Sequence, residues 1–164
     1  MRNFPRRSAA IALASLLVMG AQTAAAQNVA RATDLDFGRF AASAVQPARV
    51  TVTPEGTRTT DHATLLGGTG PQAARFTVDG EGGRAFQASI IRGFSGQPGV
   101  SLENVTASCG FGSAFNAASG TLSGCRLSVA GAAEILVGAT LAVDAGEGST
   151  SLNLPNAITV QVTY

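Results

Sequence analysis

The chain has 164 residues, with 11 basic side chains against 10 acidic ones, and its 20 glycines and 6 prolines break it into short stretches. Every basic residue is an arginine, which excludes a Gly-Lys-Ser/Thr phosphate loop, a Schiff-base lysine, a Ser/Lys dyad and any lysine isopeptide link. Near-neutral charge with one tyrosine and no tryptophan also argues against nucleic acid, whose binders carry a basic patch with interleaved aromatics.

Residues 1–26 have the parts of a secretory signal peptide: Arg2, Arg6 and Arg7 at the start, an apolar run from Ile11 to Met19, and small residues at Ala24-Ala25-Ala26. Cleavage is expected after Ala26, leaving Gln27 first. The apolar run is shorter than the ~20 residues a membrane helix needs, so no membrane span is expected in the mature chain. Residues 27–164 suffice for a single domain. Without the three leader arginines, eight basic residues face ten acidic ones, a net charge of −2. The expected location is beyond the inner membrane: periplasm, cell surface or medium.

After the leader, an amino-terminal strand places Val29, Thr33, Leu35 and Phe37 on one face, interrupted by Arg31. Ala48, Val50 and Val52 alternate with Arg49, Thr51 and Thr53 up to a turn at Pro54-Glu55-Gly56, the signature of a half-buried strand. Ala74, Phe76 and Val78 alternate likewise, and Ala85 to Ile91 reads as a strand beyond Gly80-Glu81-Gly82-Gly83, so the pair predicts a hairpin.

The stretch 93–124 is rich in Gly, Ser, Ala and Asn and reads as a long insertion or loop with one strand near Ser101 to Thr106, its Phe111 and Phe115 forming a small satellite core or, alternatively, an exposed contact patch. Cys109 and Cys125 would pin it: an exported pair sixteen residues apart, neither C-x-x-C nor beside a histidine cluster, predicts a disulfide. Three short strands follow at 127–129, 134–137 and 141–143. The chain closes on Ile158, Val160, Val162 and Tyr164 alternating with Thr159, Gln161 and Thr163. Tyr164 is expected to pack on the sandwich with its hydroxyl reaching water or a carbonyl. Short alternating strands between glycine-rich turns predict an all-β antiparallel sandwich.

No catalytic, cofactor or metal site is expected. His62 is the only histidine, it lies in a polar segment beside Asp61, and no serine occupies a G-x-S-x-G elbow. Asp34 and Asp36 would share a strand face, but calcium needs several more oxygens. Gly67-Gly68-Thr69-Gly70 and Gly80-Glu81-Gly82-Gly83 read as turns, since no helix follows to bind a phosphate. Asn104-Val105-Thr106 matches the glycosylation sequon, a short pattern that carries little weight by itself.

Leu35-Asp36-Phe37-Gly38, the strand and turn from Ala48 to Gly56, Ala74 to Gly80, Gly83-Arg84-Ala85-Phe86 and the strand from Ile158 to Tyr164 resemble a bacterial secreted family, domain of unknown function 4402. That family is similar to pilin and spore-coat-U-like proteins of Gram-negative bacteria. The resemblance implies an immunoglobulin-like, pilin-like sandwich and a non-enzymatic structural or surface role. It also implies assembly into a pilus-like fibre by strand complementation, with copies of itself or related subunits and a periplasmic chaperone as partners. On this sequence Val29, Thr33, Leu35 and Phe37 would be the donor strand, and Ile158, Val160, Val162 and Tyr164 one wall of the acceptor groove. The alternative expectation is a monomeric secreted binding module that uses 93–124 to hold a glycan or a surface protein.

Overall fold

Alternation of apolar and polar side chains decides the architecture, because a period of two gives each strand one face for a core and one for water. The computed structural model describes residues 28–68, 70–94, 97–109, 115–116, 120–147 and 149–164, so the leader and Phe111 lie outside the described residues, as does the side chain of Phe115. Among the described residues every regular element is a strand: β1 Asn28–Thr33, β2 Leu35–Ala42, β3 Ala48–Val52, β4 Arg58–Asp61, β5 Ala63–Leu65, β6 Ala74–Asp79, β7 Ala85–Arg92, β8 Val100–Ser108, β9 Phe115–Asn116, β10 Gly120–Arg126, β11 Ala132–Val143, β12 Ser149–Leu154 and β13 Ile158–Thr163.

All pairings are antiparallel. The larger sheet is built on β11. One side of β11 pairs with β6 and then β3, end to end, and the other with β8, which also carries β9. β1 flanks β6, and β4 flanks β3. The opposing layer consists of two three-stranded sheets, β10-β7-β13 and β12-β2-β5. Phe37 and Phe40 of β2, Phe76 of β6, Phe86 and Ile90 of β7, and Ile135 and Leu141 of β11 meet in one core. The fold is an all-β antiparallel sandwich.

β6 and β3 meet where β11 has Gly138. A Cβ there would run into the carbonyl oxygen of Val52 and approach Pro54 N to 2.8 Å, so only glycine lets the chain leaving β3 cross at that distance. A second glycine sets the phase of β2: Gly38 has φ 68°, and its N–H donates to Asp36 Oδ1 at 2.7 Å. The register against β12 shifts nearby, so Phe37 and Phe40, three residues apart, both point inward with no exposed surface.

Several expectations need correction. The hairpin predicted over Ala74 to Ile91 does not form: β6 and β7 are strands, but they belong to opposite layers, joined by a link that crosses between sheets. Glycines made that link look like a hairpin turn, yet Gly80 N–H donates to Gly131 O and Gly83 N–H to Ser128 O, so it is tied to another loop. The segments 134–137 and 141–143 are one strand, β11, whereas 127–129 forms no strand: Leu127 N–H donates to Arg84 O, and a turn closes from Ser128 to Gly131. The stretch 93–124 is no appended insertion, since β8 and β10 are integral strands that bury Leu102, Val105, Ala107 and Leu122. The predicted amino-terminal strand is two, β1 and β2, in different layers.

Candidate functional site

β13 is the last member of its sheet. It pairs with β7 from Ile158 opposite Arg92 to Thr163 opposite Gln87, and no strand pairs with its other side among the described residues. Carbonyls of successive strand residues point to opposite sides. Ala157 O accepts from Gly93 N–H at 2.8 Å, on the β7 side, whereas Ile158 O is reached by the Arg31 guanidinium at 2.8 Å, on the open side. The backbone groups of Val160 and Val162 therefore share that open side, an unfinished ladder of the kind that pairs with added strands.

Side chains complete the geometry. Ile158 and Val160 are buried in the core, and Val162 and Tyr164 pack partly buried along the same line. β1, the edge of the opposing sheet, runs beside them with Val29 partly buried. Thr33 donates its hydroxyl to Ala73 O at 3.1 Å. Of the residues expected to form a donor strand, Val29 and Thr33 lie on β1, already paired with β6, whereas Leu35 and Phe37 are locked in β2 at 1% and 0% exposure. Freeing those two would empty part of the core.

At the far end of β13 the Tyr164 ring is tilted against Phe86, centroids 5.9 Å apart, with the Arg84 guanidinium 5.0 Å from its centre. The hydroxyl oxygen is buried and has no partner among the described residues, contrary to the expectation that it would reach water or a carbonyl; it lies against Gly80. Burial pushes the phenol above its ordinary pKa; the charge of Arg84 opposes this and that of Asp79 adds to it.

The remaining candidates are scattered. Cys109 and Cys125 form the predicted disulfide, 2.08 Å between sulfurs, and it ties the end of β8 to β10 in the opposing layer. His62 is exposed, has φ 53°, and sits at the corner where the chain passes from β4 in one layer to β5 in the other. Its Nε2 lies 3.5 Å from Asp61 Oδ1. Asp34 pairs with Arg31 at 3.2 Å, whereas Asp36 accepts the Gly38 N–H, so the two carboxylates serve different partners. Among the described residues no three His, Cys, Asp or Glu side chains gather as a metal cluster, and no helix is long and apolar enough to cross a membrane. Sequence reasoning missed Asn156, whose φ of 63° turns the chain into β13 and whose side chain meets Arg31; an Asn in a Pro-Asn turn was the available signal.

The chain matches the domain of unknown function DUF4402 over residues 27–164. It belongs to that family. No curated protein and no solved structure matches it.

Proposed function

We propose that this protein is an exported, non-enzymatic structural or surface component whose copies are joined by strand addition along the open side of β13. The observation that carries this reading is the backbone of Val160 and Val162, unpaired on the open side among the described residues, above a buried apolar row. Main-chain hydrogen bonds would supply the affinity of such a joint, and alternate side chains its register. The donor is β1 of a second copy: the strand is short, mostly exposed and placed at a sheet edge. Export is supported by the leader features, and the family match begins at Gln27, where cleavage is expected. A pilin-like immunoglobulin topology and a periplasmic chaperone remain part of this proposal.

The test is the native mass of the processed protein with Val162→Pro as the control. Proline at 162 removes an N–H from the open side and leaves pairing to β7 intact. Assembly in the parent chain that is lost in the variant supports strand addition. A monomer at every concentration, with no denaturant-resistant ladders in cell-surface material, overturns it.

A second reading has its own observation. A surface depression of about 480 Å³ beside Arg92 and Phe94 reaches into the 93–124 stretch and would suit a monomeric binding module for a glycan or a surface protein. Loss of binding on substituting Phe94, in a protein that stays monomeric, favours that reading over assembly.

A further inference from the structure

β1 carries an arginine on its core-facing side. Arg31 stands opposite Phe76 in the β1–β6 register, two residues from Val29 opposite Val78, and Phe76 and Val78 are both buried. The Arg31 side chain keeps 27% of its surface exposed, at the rim of the core and not inside it, and protein groups share its solvation with water. Arg31 has four: the Phe76 ring at 5.6 Å, Asp34 Oδ1 at 3.2 Å, Asn156 Oδ1 at 2.5 Å and Ile158 O at 2.8 Å. Asn156 and Ile158 belong to the opposing layer. The side chain therefore spans the open flank of the sandwich and takes the first carbonyl of the β13 ladder.

Inward-pointing charges on edge strands are a known means of stopping edge-to-edge pairing. We propose that Arg31 is a latch on β13: while its guanidinium holds Ile158 O and Asn156, an incoming strand cannot form its first hydrogen bonds, and release of Arg31 opens the ladder. This rests on the reading of β13 as a strand acceptor. The planar guanidinium suits the task, because its five N–H groups reach carboxylate, amide and carbonyl together. Release requires the β13 turn to move away from β1, and the three polar partners are the contacts that oppose it.

The test uses the full processed chain and a labelled synthetic peptide spelling Asn28 to Asp34. Arg31→Met keeps the apolar stem over Phe76 and removes the donors. The variant is expected to bind the peptide about tenfold more tightly than the parent, equivalent to about 1.4 kcal/mol. Asn156→Gly keeps Arg31 and the left-handed turn, removes one partner, and should give an intermediate gain, which guards against a folding defect in the first variant. Equal affinity across the three proteins overturns the latch and leaves the acceptor standing. Binding to Val162→Pro as strong as to the parent shows that the peptide does not use the ladder, and overturns the acceptor and the latch together.

Discussion

The hydroxyl oxygen of Tyr164 lies so close over Gly80 that a Cβ added to the glycine would sit 2.6 Å from it. This contact joins the end of β13 to the link between β6 and β7. Gly80→Ala should therefore destabilise the protein by about 1–3 kcal/mol through overpacking. Tyr164→Phe removes a buried, unpaired hydroxyl and should be neutral or stabilising by up to about 1 kcal/mol. The double variant should be more stable than the sum of the two predicts, a coupling that denaturant titrations of all four proteins would measure.

The same phenol sets an alkaline limit. Its pKa is raised in the folded chain, by burial above all, so the folded state holds the proton more tightly than the unfolded one. The sign follows from linkage: this contribution is fully present below the ordinary phenol pKa near 10 and is lost as pH rises through the higher folded value. As pH rises above about 10, denaturation midpoints should fall more in the parent chain than in Tyr164→Phe.

Gly138→Ala tests the junction on β11. The added methyl meets backbone, not a flexible side-chain end, so a loss at or above about 3 kcal/mol is expected. A thermal melt displaced by less than a typical surface substitution would disprove the tight crossing.

Replacing Cys109 and Cys125 together by alanine should cost about 3 kcal/mol on the chain-entropy account of a loop this long. Both cysteines are buried, so a further loss from the emptied space is expected. Equilibrium unfolding with and without reductant separates the two effects.

His62 should prove replaceable. Its backbone is left-handed, a conformation asparagine adopts readily, and its side chain is exposed. His62→Asn is expected to alter stability by less than about 0.5 kcal/mol, read from the same denaturation curves.

Much of the fold was legible because its strands are half wet. β3, β6, β7 and β13 alternate cleanly, and their limits were read within a residue or two. β11 was not, because Gly138 interrupts its pattern and its middle is buried on both faces, from Val137 to Leu141. The false hairpin has a different cause: turn glycines report that a chain bends, not whether the next strand joins the same sheet. At the site, Arg31 stood out as a flaw in an apolar face. Its partners Asn156 and Ile158 lie more than a hundred residues away, and no local pattern names them.

β2 near the beginning is matched to β12 near the end, Leu35 opposite Leu154, and β3 waits for β11. Such separations delay ordering until almost all the polypeptide is present, and they place folding among the slow, millisecond-to-second topologies.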